Sequence, residues 1–300
     1  MTASPIRVGV ALLAILSLAP VPAAAGSFKH LASVYQDDKE GPLRAPEGVA
    51  CDEKGAIVVA DTGNGRLLTF AWRDGKVSGG AELRVAEAPY PVRVQIDGRG
   101  NVLVLDRKAR RIVRLDASGK FDGVVEPRGV SGSGSVGVSA FRVTKDGELV
   151  LLDVASHRIL VLDSGGKVTR ELALPPSGPQ FMDVAVDASG RILALDAAGS
   201  RLWAAEKGAR ELQPLGVSLK DRASFPVYVA EESGRFLVVD QFGNGVVTLG
   251  GDGTFQGREL EMGWADGRVY YPAQACTAIP GVVVLADRAN DRIQVFATGR

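Results

Sequence analysis

A motif of glycine, aspartate and arginine recurs six times along the chain and constrains the fold more than any other feature. Each copy ends an apolar segment on an aspartate, and successive aspartates are 43 to 47 residues apart: Asp61, Asp106, Asp153, Asp196, Asp240 and Asp287. A glycine stands six residues before every aspartate, and an arginine stands five residues after it in every copy except the fifth, which has Gly245. Six glycines in register do not arise by chance, so the chain consists of six equivalent units.

Each unit has the composition of four short strands. Two apolar, β-branched segments flank the glycine turn, and a third segment, such as RLLTF or RIVRL, follows the aspartate. A more variable fourth segment completes the unit, and the connections are too short for a crossover helix. Four antiparallel strands in each unit of about 45 residues predict an all-β fold, a six-bladed β-propeller of four-stranded blades.

The last unit lacks a fourth strand after its third strand, residues 292–296. Residues 29–36, KHLASVYQ, can supply that strand from the other end of the chain. An N-terminal strand in this place would complete the last blade and cover an exposed sheet edge. We therefore expect residues 26–300 to form one closed domain, and we expect that domain to be a monomer.

The first 25 residues have the layout of a secretory signal peptide. Arg7 precedes an apolar run from Val8 to Leu18, and a Pro-x-Pro and three alanines follow. The run is too short to span the roughly 30 Å hydrocarbon core of a bilayer. The pattern predicts a signal peptide at residues 1–25, export to the periplasm or the extracellular space, and no membrane span in the mature chain.

The repeats resemble those of the NHL repeat family of six-bladed β-propellers over roughly residues 28–300. The phrases P-x-x-V, D-x-x-G, VVxAD and NxRIQVF carry the resemblance, which is best in APEGVACDEKGAIVVADTGNGRLLTF, YPVRVQIDGRGNVLVLDRKARRIVRL and the last copy. The third, fourth and fifth copies depart from the pattern, since VGVSAFRV and QFMDVAV lack the proline and the fifth copy lacks the arginine. Propellers of this kind include docking platforms, lyases and lactonases, so the resemblance implies a fold rather than a function.

The repeated residues are predicted to be scaffold rather than site. An aspartate at the end of a strand can accept backbone N–H groups of the following turn, and the arginine five residues later can pair with it or with a neighbouring blade. A functional site is needed once, whereas these residues occur in every copy. Asp52, Asp97 and Asp187, each followed by a glycine three residues later, fit type I turns.

The two cysteines fall on innermost strands of the first and last units, which become neighbours when the ring closes. Aligned on the unit glycines, Cys51 and Cys276 differ in position by one residue. Because side chains alternate along a strand, both cysteines point either into the shared interface or away from it. The sequence leaves open a closing disulfide or two separate buried thiols, with separate thiols as the default.

The resemblance places a functional rim at the starts of the innermost strands and at the turns between the second and third strands. The strand starts supply a first set of candidate ligand-binding residues: Glu47, Arg93, Arg142, Asp183, Tyr228 and Gln274. The turns add Arg107, Lys108, His157 and Phe242. Arg93 and Arg142 would favour an anionic ligand. Trp264, Tyr270 and Tyr271 lie in the connection 260–272, where they form either a contact patch or a cover over the core.

Two classes of function follow from these features. The first, which we favour, is an exported, non-catalytic platform that binds a protein, peptide or glycan through the rim. The alternative is a propeller enzyme of the lactonase or lyase type with a site at the channel mouth. Such enzymes use several carboxylates or histidines as metal ligands, and this chain has two histidines. We expect no catalytic residue, no cofactor and no metal, and the zero net charge disfavours nucleic acid.

Overall fold

The computed structural model describes residues 28–132, 135–176 and 178–299. The predicted signal peptide, residues 1–25, lies outside this part of the chain. The strands form six four-stranded antiparallel sheets, each of which is one blade of a propeller, so the predicted six-bladed architecture is confirmed. Within the described ranges, no helix is long and apolar enough to cross a membrane.

The strands are numbered in chain order, and the first strand, β1, is Lys29–Val34. Blade 1 contains β2 (Gly48–Cys51), β3 (Ala56–Asp61), β4 (Arg66–Arg73) and β5 (Lys76–Leu83). Blade 2 contains β6 (Pro91–Ile96), β7 (Val102–Asp106), β8 (Arg111–Leu115) and β9 (Phe121–Val124). Blade 3 contains β10 (Val138–Val143), β11 (Leu149–Asp153), β12 (Arg158–Leu162) and β13 (Val168–Ala173).

The second half of the ring repeats this order. Blade 4 contains β14 (Phe181–Val186), β15 (Ile192–Asp196), β16 (Arg201–Ala205) and β17 (Gln213–Leu215). Blade 5 contains β18 (Pro226–Glu232), β19 (Arg235–Asp240), β20 (Gly245–Leu249) and β21 (Phe255–Glu259). Blade 6 contains β22 (Ala275–Cys276), β23 (Val282–Asp287), β24 (Arg292–Ala297) and β1. Two short 3-10 helices, Thr62–Asn64 and Arg288–Asn290, join the second and third strands of blades 1 and 6.

The hydrophobic core is divided among the interfaces between blades. Each of six buried clusters draws its side chains from two neighbouring blades. A middle strand is therefore covered on both faces, and all five residues of β11 are buried. This explains why the middle strands read as continuous apolar runs rather than alternating ones.

The closing strand lies where the sequence predicts it. β1 pairs with β24 in antiparallel register, with His30 opposite Phe296 and Val34 opposite Ile293. β1 is thus the outermost strand of blade 6, whose three other strands come from the far end of the chain. The prediction of closure by an N-terminal strand is confirmed.

The repeated aspartates are buried structural groups. Their carboxylates accept a backbone N–H from the segment that leads into the innermost strand of the same blade, at 2.7 to 2.9 Å. The donors are Arg44, Tyr90, Gly137, Gln180, Phe225 and Tyr270. These donors precede the aspartate by 15 to 17 residues and are not the ones predicted from the sequence. In blades 2, 4 and 5 the aspartate also accepts the predicted N–H of the following turn, from Ala109, Gly199 and Gly243, at 2.7 to 3.2 Å. The scaffold role of these residues is confirmed.

The repeated glycines adopt a backbone conformation that other residues avoid. All six have a φ angle between +71° and +86°: Gly55, Gly100, Gly147, Gly190, Gly234 and Gly281. Glycine has no Cβ and tolerates this region without strain. In the three predicted Asp-x-x-Gly turns, the glycine N–H donates to the aspartate carbonyl at 3.0 to 3.1 Å, as a type I turn requires.

The cysteines are bonded to each other. Cys51 ends β2 and Cys276 ends β22, and a disulfide joins them with a Cα–Cα distance of 5.8 Å. Both side chains therefore point into the interface between blades 1 and 6. The default expectation of two separate thiols is replaced by the disulfide, because ring closure brings two innermost strands within bonding reach.

Candidate functional site

The propeller has two faces, and the candidate residues do not all lie on one of them. We define the upper face as the one with the starts of the innermost strands and the turns between second and third strands. The lower face carries the turns between first and second strands. Glu47, Arg107, Lys108 and Phe242 lie at the upper face, and His157 lies exposed in the β11–β12 turn. The remaining candidates, Arg93, Arg142, Asp183, Tyr228 and Gln274, line the channel between the faces.

The channel residues are internal braces rather than an exposed rim. Arg93 on β6 donates from Nη1 to the carbonyl oxygen of Ala273 at 3.1 Å and from Nη2 to that of Val227 at 2.8 Å. Gln274 donates to the carbonyl oxygen of Val94 at 2.8 Å and has no exposed surface. These bonds cross the channel from blade 2 to blades 5 and 6. The rim predicted at this position is closed because these side chains reach across it.

Arg142 is the second brace and lies deeper in the channel. Its guanidinium donates to the carbonyl oxygens of Val184 at 3.2 Å and Val229 at 2.6 Å, and Nη1 donates to the Tyr228 hydroxyl at 2.5 Å. The same guanidinium lies 3.5 Å from the Asp183 carboxylate. Blades 3, 4 and 5 are thus joined at one point.

Asp183 and Tyr228 are buried beside these guanidinium groups. Tyr228 has 2% of its surface exposed, and the Cζ atoms of Arg93 and Arg142 lie 5.0 and 4.8 Å from its ring centroid. Burial raises the pKa of the Asp183 carboxyl above its ordinary value, although the positive charges of both arginines oppose the shift. Asp183 also accepts the backbone N–H of Val229 at 2.9 Å.

A cluster of charges occupies the upper mouth of the channel. Glu47 forms ion pairs with Arg107 of blade 2 and, at 3.3 Å, with Arg288 of blade 6. Arg107 and Lys108 both lie over the ring of Tyr90, at 5.7 and 5.3 Å from its centroid. Glu47 and Asp183, the two carboxylates among the candidate residues, therefore form ion pairs with different arginines.

Five aromatic side chains form a continuous strip on the upper face of blades 5 and 6. In order along the strip they are Phe225, Phe242, Tyr271, Tyr270 and Trp264, which we call the aromatic strip. Successive ring centroids are 4.7, 5.6, 4.8 and 5.9 Å apart. Phe242 and Trp264 are 54% and 70% exposed. Of the two roles left open for the connection 260–272, the exposure of Trp264 matches a contact patch.

The backbone of the aromatic strip is hydrogen-bonded to two of the repeated aspartates, Asp240 and Asp287. The backbone N–H groups of Phe225 and Tyr270 donate to the anchor aspartates of blades 5 and 6, at 2.8 and 2.7 Å. The N–H of Tyr271 donates to the side chain of Asn244 at 2.9 Å. The backbone that carries three of the rings is therefore fixed by partly buried hydrogen bonds, although it lies in connecting segments.

A cavity of about 550 Å³ opens on the lower face. Its floor is formed by Gln95, Arg142 and Tyr228, and its wall by the ends of the innermost strands and the Cys51–Cys276 disulfide. Charged residues of the turns between first and second strands surround the mouth, together with Glu231 at the end of β18: Asp52, Glu53, Lys54, Asp97, Arg99 and Lys145. Sequence reasoning placed the site on the upper face and missed this cavity. The available signal was the variation among these turns, which carry different charged residues in different blades.

The described ranges contain no group of three or more histidine, cysteine, aspartate or glutamate side chains placed to hold a metal ion. His157 lies in a turn of blade 3, and its carbonyl oxygen accepts the N–H of Leu174 at 3.0 Å. His30 lies on β1, where its ring contacts Phe296. The two histidines of the chain therefore lie on different blades, outside the channel.

Comparison with known proteins supports the fold. No family model and no curated protein match the chain. Virginiamycin B lyase from Staphylococcus aureus is similar in structure, with a TM-score of 0.64 and 14% identity, over 91% of this chain and 100% of that chain. A gluconolactonase-like protein gives a TM-score of 0.64 and 16% identity, over 92% and 93% of the two chains. A chain of a nidogen–laminin complex gives 0.58 and 16%, over 77% and 85%. At these identities the likeness shows a six-bladed propeller, while membership of the NHL repeat family stays a prediction.

Proposed function

We propose that this NHL-like propeller is an exported binding module that docks a polypeptide partner on the aromatic strip. The observation that carries the proposal is the exposure of Phe242 and Trp264 at two positions of one contiguous run of rings. Tryptophan, tyrosine and arginine dominate the binding energy of protein interfaces, and large aromatic surface is costly to leave in water. Rings held by the scaffold lose little conformational freedom when a partner binds.

The tilt of the rings favours a polypeptide over a glycan. The planes of adjacent rings meet at 68°, 80° and 55° along the strip from Phe242 to Trp264. A sugar ring stacks best on one flat aromatic face, whereas a ridged surface leaves clefts for apolar or proline side chains. Arg107 and Arg288, at the channel mouth on the same upper face, keep 52% and 38% of their side-chain surface exposed. Acidic residues of the partner would complement these two cations.

The enzyme alternative has less support from the geometry. Structures of the same fold include a lyase and a component of the nidogen–laminin complex, so the fold accommodates catalysis and protein binding alike. A channel-mouth site would require Glu47 and Asp183 to converge on a ligand. Glu47 instead pairs with Arg107 and Arg288, and Asp183 binds the N–H of Val229. This arrangement supports the binding module.

The proposal is tested by affinity capture from the exported fraction of the native host, followed by binding measurements with the purified polypeptide so identified. The double substitution Phe242→Ala with Trp264→Ala should weaken that polypeptide's binding at least tenfold, since a central aromatic anchor contributes roughly 2 kcal/mol or more. Phe121→Ala is the matched control, because Phe121 is also an exposed aromatic residue, at 42%, but lies on β9 of blade 2.

Two results would overturn the proposal. One is a partner whose affinity is the same for the double variant and the unaltered protein. The other is retention of the protein on a polysaccharide that the double variant loses, which would replace the polypeptide by a glycan at the same strip.

A further inference from the structure

The lower cavity is a second place where the molecule can hold a ligand, on the face opposite the aromatic strip. Its volume of about 550 Å³ lies within the range of small-molecule sites in proteins. The braces across the channel separate it from the upper mouth, because Arg142 and Tyr228 form its floor. Its contents are therefore independent of whatever docks above.

The charge of the channel favours an anion at the floor. Deep in the channel, the innermost strands carry two guanidinium groups, Arg93 and Arg142, and one carboxylate, Asp183. Glu231 of β18 lies nearer the mouth, where its carboxylate accepts the N–H of Gly234 at 2.7 Å. The side chain of Arg142 is only 13% exposed, and buried positive charge without a full counter-charge is unfavourable. An anionic group at the floor of the cavity would supply the missing negative charge.

The Tyr228 hydroxyl offers a hydrogen bond to such a group. Within residues 28–132, 135–176 and 178–299, both hydrogen bonds of this hydroxyl are ones that it accepts, from Arg142 at 2.5 Å and from Gln95 Nε2 at 3.5 Å. Its own proton is left for an acceptor in the cavity that it lines. A hydroxyl that accepts from a cation is a stronger donor, because hydrogen bonds in a chain polarise one another. The amide of Gln95, which lies beside it, is a second donor.

The wall above the floor is apolar. It consists of strand-end side chains and the disulfide: Ile96, Val143, Val186, Ala230, Cys51 and Cys276. At the mouth, Glu53 pairs with Lys145, while Asp52 and Asp97 accept N–H groups of their own turns. Lys54 and Arg99, also at the mouth, form no ion pair within the described part of the chain and would attract an anion.

We propose that the lower cavity binds a small organic acid, with its carboxylate at the Tyr228 hydroxyl and Gln95 amide and its apolar body against the wall. The carboxylate receives hydrogen bonds from these two donors and the electrostatic attraction of Arg142. The apolar body covers the strand ends and the disulfide. Neither the polypeptide partner nor the aromatic strip enters this site.

The proposal is tested by calorimetric titration of the full mature protein with benzoate and hexanoate and, in parallel, with benzamide and hexanamide. Each amide has the size and apolar body of its acid but no charge. We expect the acids to bind at least about tenfold more tightly than their amides, because hydrogen bonds to a charged group are the stronger ones. Equal affinities, or no binding of either acid at millimolar concentration, would refute the proposal.

Substitution of the floor locates the site. Tyr228→Phe keeps the ring between the arginines and removes the hydroxyl, so the acids should lose about tenfold in affinity while the amides change little. Phe242→Ala on the upper face is the control and should leave acid binding unchanged. Undiminished acid binding by a folded Tyr228→Phe variant would contradict the proposal. The acid–amide comparison uses the unaltered protein, so it stands even if a variant does not fold, and its outcome is separate from partner binding at the strip.

Discussion

One sequence spacing produces two different structural results at the level of single residues. In blades 1, 3 and 6, the arginine five residues after the anchor aspartate donates from Nε to the carboxylate at 2.7 to 3.0 Å. In blade 2, Arg111 is exposed and donates instead to the carbonyl oxygen of Glu87. The buried arginines have further acceptors nearby, as Arg292 has in Asp266 and the Tyr35 hydroxyl. In these four blades, the arginine is buried against the anchor aspartate where its guanidinium also has other hydrogen-bond acceptors, and it is exposed in blade 2.

This difference predicts unequal costs for the same substitution. Arg292→Met should lower the free energy of unfolding by about 3 to 5 kcal/mol, because Asp287 would be left buried without its partner. Arg111→Met is the matched control and should change it by less than about 0.5 kcal/mol, as expected for an exposed position. Urea unfolding of both variants measures the two values. Similar losses would contradict the structural distinction between them.

Sequence analysis identified the anchor residues but not all their partners. The fifth blade has Gly245 in place of the arginine, and its anchor, Asp240, pairs instead with Arg258 at 2.9 Å. Arg258 lies on the outermost strand of the blade, outside the spacing that defines the repeat. A substitute that reaches the same carboxylate from another strand leaves no mark in the periodic pattern, so only the folded structure shows it.

At the level of elements, the closing strand is held by side chains as well as by its backbone. Ser33 and Tyr35, on and after β1, donate to Oδ1 of Asp266 at 2.6 and 2.7 Å. Asp266 lies in the connection between blades 5 and 6 and also pairs with Arg292. The hydrogen bonds from Ser33 and Tyr35, with a smaller effect of nearby positive charge, lower the pKa of this carboxyl. The contact is therefore made to an ionised aspartate.

The lowered pKa gives a pH dependence with a definite sign. Ionised Asp266 stabilises the folded protein above the unfolded pKa of about 4, and this stabilisation is lost as the pH falls through the lower folded pKa. Asp266→Asn should therefore be less stable than the unaltered protein near neutral pH, and the difference should shrink in acid. Urea unfolding of both proteins near neutral pH and again in acid measures this difference in stability. Asp122→Asn, at an exposed position of β9, is the control. A difference that grew in acid would show that another group governs the strand.

The strands and their order could be predicted from the sequence. The sequence did not show that the channel opens on the lower face. Strand segments and turns are set by residues close together in the chain, and the periodic glycines and aspartates mark them. The braces that close the upper channel join Arg93 to carbonyl groups 134 and 180 residues away. Contacts over such separations depend on the completed ring, and no local pattern encodes them.

At the level of the whole molecule, the ring is closed at two distances from its axis. β1 joins β24 by a sheet at the outside of blade 6, and the disulfide joins β2 to β22 beside the channel. A hydrophobic cluster shared by blades 1 and 6 fills the space between these closures. The seam between first and last blades is thus joined by hydrogen bonds, apolar contact and a covalent bond.

The double substitution Cys51→Ser with Cys276→Ser measures the covalent part of this closure. Removing a native disulfide costs about 2 to 5 kcal/mol, and the cost is larger for long loops in the chain-entropy account. The cysteines are 225 residues apart, so we expect a loss toward the upper end of that range, with the fold retained through β1. Urea unfolding without reductant gives the value, and reductant should produce the same loss in the unaltered protein. An unreduced mass that matches two free thiols would contradict the bond.

The disulfide also changes what a single break in the chain would do. The polypeptide from Cys51 to Cys276 and the bond between them form one covalent loop that includes blades 2 to 5, most of blade 1 and one strand of blade 6. A protease that cut any one connection within this loop would leave both fragments linked, and each would still be hydrogen-bonded and packed against its neighbours. Such a nicked molecule would migrate as one species in denaturing electrophoresis and would separate into two only after reduction.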